Sequence, residues 1–436
     1  MPAAPENRPP EAETIFALSS GAPPAGVAVV RISGAAAGGA LDSLTGRARP
    51  AARRSVLRTL RDPVTSEPLD RALVLWLPGP GSATGEDMAE LHLHGGRAVT
   101  RSVLDVLAGL PGLRSAEAGE FTRRAFANGR IDLNEAEALA DLLTAETDAQ
   151  RRNAMLLAGG ALSRAIEGWR ERLLMLSARI EAVLDFDDEE DVTPIDAGFA
   201  DDLRHLATDV ARWRSAPPAE RLRDGIRVVL AGPPNSGKSS LINALSGREA
   251  AIVTPVAGTT RDLIEVPLAI GGTPFLLVDT AGLHERPDDE VEAIGIGRAA
   301  AAIAAADILL WLGPAADAPA GALRIGAQAD RLSHDRASVD IVLSTVTGEG
   351  MALLREQLLA RAAALLPGEG EAALSERQRL ALARLGDALG LATAEGDPLL
   401  VGEALRLGRA ALDALTGRAG TEDLLDGLFG RFCIGK

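Results

Sequence analysis

The chain has 436 residues, enough for two to four domains with separate cores, and its 47% hydrophobic and 24% charged residues mark it as globular rather than disordered. A formal net charge of −16 argues against a protein whose main task is to coat nucleic acid, and the single cysteine, Cys433, excludes an internal disulfide and a multi-cysteine zinc site. No apolar run approaches the ~20 residues that span a bilayer, and the first residues carry no basic-then-apolar signal pattern, so a cytoplasmic protein without membrane attachment is expected.

Residues 1–13, rich in Pro, Ala and Glu, are expected to be disordered. From Thr14 to about Phe126, Val27–Ile32 (VAVVRI) and Ala72–Leu77 (ALVLWL) read as strands beside Gly/Pro turns, and Val99–Leu107 as a helix. Arg123, Arg124 and Arg130, then Arg151 and Arg152, are the densest basic groups; they could form a local nucleic-acid patch or simply a solvated surface. Beyond Asn134, Leu162, Ile166, Trp169, Leu173, Leu176, Ile180 and Val183 recur at three- and four-residue steps, which is one face of a long helix ended by the acidic run Asp185–Asp191.

Arg227–Gly232 (RVVLAG) opens an alternation of strands and helices that lasts to about Leu366. After Pro367–Gly370 the helical pattern returns with Leu380, Leu385 and Leu389, then Leu399 to Leu415. The expected fold class is multidomain, α/β plus all-α. It has an α/β domain at 14–126 and a helical domain at 127–220 and 369–436, interrupted by an inserted α/β domain at 221–368.

Gly232-Pro-Pro-Asn235-Ser236-Gly237-Lys238-Ser239 fits G-x₄-G-K-[ST] and stands between a strand and the helix that begins with Ser240. Glycines let backbone N–H groups curl around phosphate oxygens, Lys238 reaches the β- and γ-phosphates, and the Ser239 hydroxyl ligates Mg2+. Thr259 and Thr260 lie in a later loop suited to closing a hydroxyl over that ion. Phe275–Val278 is a buried-strand pattern ending in Asp279-Thr280-Ala281-Gly282, where an Asp serves the metal and a Gly gives its N–H to the γ-phosphate. Three phosphate elements in this order predict a nucleoside triphosphate site. Base recognition rests on Asp330, in Ala327-Gln328-Ala329-Asp330 where Asn-Lys-x-Asp is the usual guanine-binding pattern, followed by Ser344-Thr345-Val346. The stretch from Trp311 to Ala327 is short for a crossover helix.

These segments resemble the MnmE (also TrmE) family of tRNA uridine-5-carboxymethylaminomethyl-modification GTPases. The resemblance is carried by residues 232–262, by 279–299, and by the terminal Phe432-Cys433-Ile434-Gly435-Lys436; upstream, residues 27–34, 84–96 and 119–143 match as well. It spans 14–436 and is with a TrmE-Era-like P-loop GTPase family. It implies an N-terminal α/β domain that binds 5-formyl- or methylene-tetrahydrofolate and dimerises, and a helical domain split by the G-domain. It further implies a homodimer that joins an FAD-dependent partner in a heterotetramer to add an aminomethyl-type group to C5 of wobble uridine U34 in tRNA.

By position, the resemblance makes Asn235 a side-chain ligand of K+, completed by backbone groups of Thr254, Val256 and Thr259 in the loop Thr254-Pro255-Val256-Ala257-Gly258-Thr259-Thr260. The residues alone favour a helix N-terminal cap for Asn235. Glu292 matches the glutamate that orients the attacking water. Arg31, Glu90, Arg130 and Lys436 match the folate site, whose pterin ring and glutamyl tail suit a carboxylate and cations. Cys433 matches a functional cysteine of unassigned role. Rival expectations are a GTPase switch in ribosome assembly and a degenerate member acting as a scaffold.

Overall fold

The computed structural model describes residues 13–185, 196–248, 264–280, 300–335, 337–368, 370–418, 422–430 and 432–436, so the stretch expected to be disordered at the N-terminus lies, apart from Glu13, outside the described residues. Contacts divide the chain into two units, Met1–Ala140 with Thr416–Lys436, and Asp141–Leu415. Each unit holds one six-stranded sheet, and the whole is mixed α/β with many helices.

The chain begins with β1 (Thr14–Leu18), β2 (Val27–Ser33), α1 (Ala37–Thr45), β3 (Val56–Arg61), β4 (Pro68–Leu77), β5 (Met88–His94), α2 (Arg97–Ala108), β6 (Leu113–Ser115), α3 (Glu120–Ala127) and α4 (Leu133–Thr144). Both predicted strands and the predicted helix of this region are present, as β2, β4 and α2. The strand order is β3-β4-β5-β2-β1-β6, antiparallel except for β1 beside β6. Successive side chains alternate between faces. Ala28, Val30 and Ile32 of β2 turn to one face, where they join the core with Leu41 and Leu44 of α1 and Val103 and Leu107 of α2. Ile15, Ala17 and Met88 turn to the other, covered there by Phe121 of α3. Further along that second face Val27, Leu57 and Leu73 remain exposed.

Next come α5 (Asp148–Ala158), α6 (Ala161–Asp185), α7 (Ala197–Arg214), α8 (Glu220–Arg223), β7 (Ile226–Ala231), α9 (Lys238–Arg248), β8 (Ile264–Ile270), β9 (Thr273–Asp279), β10 (Ile308–Trp311), β11 (Leu323–Gly326), β12 (Ile341–Val342), α10 (Met351–Ala363), α11 (Glu376–Ala394) and α12 (Pro398–Thr416). Every apolar residue predicted for the inner face of α6 is buried; the acidic run expected to end it lies, apart from Asp185, outside the described residues. Thr147 and Ser375 start α5 and α11 with reciprocal capping boxes to Gln150 and Gln378, so two orphan N–H groups are satisfied at each start. The helix expected around Leu380, Leu385 and Leu389 is present as α11; Leu385 and Leu389 are buried and Leu380 is 54% exposed, because the helical period places Gln378, Ala381 and Leu382 on the inner stripe.

The second sheet has the order β12-β11-β10-β7-β9-β8, and only β8 runs antiparallel. A parallel strand flanked by crossovers is covered on both faces, which is why β7 is apolar from Val228 to Ala231, with Arg227 near its start. Ile226, Val228 and Leu230 meet Leu241 and Leu245 of α9 and Leu354 and Leu358 of α10; Val229 meets Ala302 on the other side. Between β10 and β11 stands only a 3₁₀ turn, Ala315–Asp317, as the short spacing predicts.

Helix α5 holds both points where the chain passes between helices and sheet. Asn153, which is buried, donates its Nδ2 to the Ala373 carbonyl at 3.3 Å and accepts from the Ala373 N–H at 2.7 Å, across 220 residues of sequence. Gln150 Nε2 donates to the Leu222 carbonyl at 2.8 Å, and the Ala149 N–H to Gly272, in the turn before β9, at 3.1 Å.

The last helix, α13 (Glu422–Phe429), belongs with the first sheet: Phe429 and Phe432 form a small core with Phe126, Ile131 and Ala136. Ile434 bridges to Ala118, and Gly435 takes φ 95°, where a Cβ would run into the Leu18 carbonyl. Glycine is what lets the chain end lie against β1.

Candidate functional site

Strand β7 sits between β10 and β9, so the loop after it opens at the point where connections leave the sheet in opposite directions, the place where open α/β sheets bind ligands. Gly232 turns the chain at φ 148°, and a Cβ there would stand 2.9 Å from the carbonyl carbon and oxygen of Leu312. Asn235 follows in the left-handed region at φ 60°. Helix α9 starts at Lys238, so its free N–H groups and the positive end of its dipole face the loop.

The side chains there suit phosphate. Lys238 is 3% exposed and donates its Nζ to the carbonyls of Gly232 at 2.9 Å and Pro233 at 2.8 Å; phosphate oxygens in the loop would take these donors. Burial pushes its ammonium below the usual lysine range, with Asp279 pulling the other way. The Ser236 hydroxyl is buried in the loop with no hydrogen-bond partner, a further donor for an anionic oxygen. Ser239 Oγ donates to Asp279 Oδ2 at 2.7 Å. Asp279 ends β9 in register with Leu230, and the Thr280 hydroxyl locks that register by donating to the Leu230 carbonyl at 2.8 Å. A hydroxyl and a carboxylate side by side are hard oxygen donors that fit Mg2+, which keeps waters and phosphates as its other ligands. No cluster of three or more His, Cys, Asp or Glu able to hold a metal occurs among the described residues.

On the base side, β11 leads into Ala327, Gln328, Ala329 and Asp330. The buried Ser344 hydroxyl donates to Asp330 Oδ1 at 2.7 Å and, as the first cause, holds that carboxyl below its usual range. The Val346 and Thr347 N–H groups donate back to the same hydroxyl, so Asp330 is aimed by a three-bond turn. Gln328, which carries no expectation from the sequence, donates its Nε2 to the Asn235 carbonyl at 3.0 Å.

The structure thus brings together Asn235, Ser236, Gly237, Lys238, Ser239, Ser240, Asp279, Thr280 and Asp330. Thr254, Pro255, Val256, Ala257, Gly258, Thr259, Thr260, Ala281, Gly282 and Glu292 lie outside the described residues.

In the first sheet Arg31 of β2 stands opposite Glu90 of β5 and donates its Nε to Glu90 Oε1 at 2.9 Å. His92, two residues on and therefore on the same face, lies 3.2 Å from Glu90 Oε2. Burial acts most strongly on Glu90 and would raise its pKa, but the hydrogen bonds from Arg31 and His92 together hold it below the usual range. Period-2 alternation from Glu90 was the signal that could have found His92. Arg130 follows α3 beside Gly85, and Lys436 closes the chain after Gly435; no hydrogen bond joins either to the Arg31–Glu90 pair. Cys433 is exposed. The suggested basic patch is largely neutralised. Arg123 pairs with Asp426, Arg124 with Glu86 and Glu120 at 3.0 and 2.9 Å, and Arg151 with Asp148 at 3.0 Å. No helix among the described residues is long and apolar enough to cross a membrane.

A family model described as "GTP-binding protein TrmE N-terminus" matches residues 14–130, and one described as "MnmE helical domain" matches residues 133–433. The chain is 72% identical over 440 residues to the tRNA modification GTPase MnmE of Rhizorhabdus wittichii, with 100% of each chain covered. It is 58% identical to the protein of that name from Novosphingobium aromaticivorans and 53% identical to that from Zymomonas mobilis, covering 97% of this chain and 100% of the relative in both cases.

Proposed function

The chain belongs to the MnmE family of tRNA modification GTPases and hydrolyses GTP, and from that premise we propose that its hydrolysis is stimulated by K+ and coupled to modification of C5 of wobble uridine U34 in tRNA. The observation that carries the nucleotide chemistry is the Ser239–Asp279 pair, 2.7 Å apart, beside the buried Lys238 ammonium at the end of the phosphate loop. Backbone N–H groups from Asn235 to Ser240 cradle the phosphates and Lys238 neutralises charge on the β- and γ-oxygens. Ser239 and Thr260 would hold Mg2+, with Asp279 beside them as the carboxylate behind the ion, and the ion would supply positive charge against the phosphate oxygens.

The Asn235 side chain, with backbone groups of Thr254, Val256 and Thr259, holds K+, the charge that an arginine finger supplies in other GTPases. Ala281 and Gly282 continue the phosphate contact after Asp279. Glu292 orients the attacking water, and Asp330 accepts from the two donors on the guanine edge. Glu292→Ala leaves nucleotide affinity nearly intact and cuts hydrolysis strongly; unchanged turnover removes that role. The residue pattern that supports guanine over adenine is narrow, since Ala327 has no polar side chain.

On the same reading residues 14–126 form a tetrahydrofolate-binding and dimerisation domain, and the helical stretches 127–220 and 369–436 form one domain with 221–368 inserted. Arg31, Glu90, Arg130 and Lys436 bind the folate, which supplies a one-carbon unit, and Cys433 serves the modification step. The working assembly is a homodimer joined to an FAD-dependent partner, in the cytoplasm. Turnover of GTP and of ATP in KCl and in NaCl tests the core of this. Strong K+ dependence with GTP preference is expected; equal rates in the two salts point to a switch of the ribosome-assembly kind, and no turnover with either nucleotide to a scaffold that binds phosphates loosely.

A further inference from the structure

The loop that carries Asp330 is anchored on one side through β12. The Leu343 N–H donates to the Gly326 carbonyl at 2.9 Å, and the Ala329 N–H to the Leu343 carbonyl at 3.1 Å. Ser344 holds Asp330 Oδ1, while Oδ2 lies 3.5 Å from the exposed Arg331. A hydroxyl on one oxygen does not fix the plane of a carboxylate, so its aim depends on the backbone behind it. The other side of that backbone is held by His334. Its Nε2 donates to the Ala327 carbonyl at 2.6 Å and closes the stretch from Ala327 to His334 into a ring. Inside the ring the Gln328 carbonyl accepts from the N–H groups of Arg331 and Leu332, both at 2.9 Å. The imidazole has room only because residue 326 is glycine: a Cβ there would stand 2.8 Å from His334 Cγ and 3.0 Å from its Nδ1. Gly326 ends β11 without a positive φ, so glycine is needed at this point for space and not for backbone freedom.

We propose that His334 is a positioning residue that sets how sharply Asp330 reads the guanine edge. The inference rests on the GTP-site reading above and concerns a residue that reading leaves unused. Ala327 stands where Asn opens the usual guanine-binding pattern, and it has only a methyl group with which to brace the loop. The brace falls instead to its carbonyl, gripped by a ring that the bare Gly326 seats. A peptide held in this way cannot rock, so the turn that leads to Asp330 starts from a fixed direction. His334 acts through that peptide rather than on the base. What it governs is chemically specific. Guanine offers N1–H and a 2-amino group, and a carboxylate takes both only when its two oxygens are aligned with them. Hypoxanthine keeps N1–H and lacks the amino group. The ratio of GDP to inosine diphosphate (IDP) affinity therefore reads the alignment of Asp330, and IDP affinity alone reads the rest of the site.

The test measures GDP and IDP affinity by calorimetry in the full chain and in three variants. His334→Phe keeps a flat ring and removes the donor; it is expected to shrink the GDP-to-IDP ratio about fivefold while IDP affinity stays within about threefold. His334→Gln, whose amide N–H reaches the place of the ring Nε2, is expected to restore the ratio to within about twofold. Gly326→Ala displaces the ring and is expected to match His334→Phe, with no further loss when the two are combined. Without nucleotide, amide hydrogen exchange at Arg331 and Leu332 is expected to speed about fivefold in His334→Phe. A ratio unchanged in His334→Phe, or GDP and IDP affinity falling together, overturns the positioning role and leaves the GTP-site reading intact. A parent chain that binds GDP and IDP equally overturns the guanine reading of Asp330 instead; faster exchange in His334→Phe then upholds the clasp on Ala327, and unchanged exchange overturns it.

Discussion

Strand β7 is buried on both faces and delivers its chemistry beyond its end, at Gly232 to Ser239, whereas β2 and β5 carry theirs on a face, as Arg31, Glu90 and His92. Coverage accounts for the contrast. A mostly parallel sheet needs helices on both sides, so a polar group in mid-strand would be entombed, and ligands meet the sheet at its carboxyl edge. An antiparallel sheet can leave one face partly open, so charged side chains stand there in pairs. Chemistry at strand ends demands special backbone and leaves a motif, but chemistry on a face leaves only alternation.

The largest expected effect breaks the strand-end half. Lys238→Ala removes a buried ammonium and should lower GTP turnover at least ~100-fold, roughly 3 kcal/mol, with far-UV circular dichroism unchanged. Asp330→Asn keeps the size but replaces an anionic acceptor, and the GTP-over-ATP preference should shrink by about 10- to 100-fold, as the loss of a charged hydrogen bond predicts.

A pH titration addresses the first sheet. Glu120 receives Arg114 through two bonds of 2.8 and 2.6 Å, with further bonds from the Glu117 N–H and Arg124. Burial alone would raise its carboxyl, but these partners bring it from the ordinary 4.5 to about 2. A carboxyl held lower in the folded state stabilises fully above 4.5 and loses that contribution as pH falls toward 2. The unfolding free energy from denaturant titrations should drop over this window by an amount on the order of 2 kcal/mol, and Glu120→Gln should flatten the drop. The smallest effect sharpens the contrast: Arg31→Met should cost less than about 1 kcal/mol of stability, since the Arg31–Glu90 pair is part-exposed. A loss well above that makes the pair structural rather than a ligand site.

The nucleotide loop, α6 and the short β10–β11 connection were legible because each leaves a local imprint: a glycine pattern, a 3.6 period, a missing dozen residues. His92 was legible only through the period-2 alternation that places it on the face of Glu90. Gln328 was illegible for a different reason: its partner, Asn235 some ninety residues upstream, is fixed by loop geometry rather than by neighbours in the chain.

Asn153 leaves the ribosome 220 residues before Ala373, the backbone that occupies both ends of its amide. Until then, water must solvate that side chain, and α5 has no seat against the later crossing of the chain. Local helices and the nucleotide sheet can condense first, because their contacts close shorter loops. The seam at Asn153 is therefore a late event in biogenesis, and a nascent chain stalled before Ala373 presents an unsealed joint to the quality-control machinery of the cell.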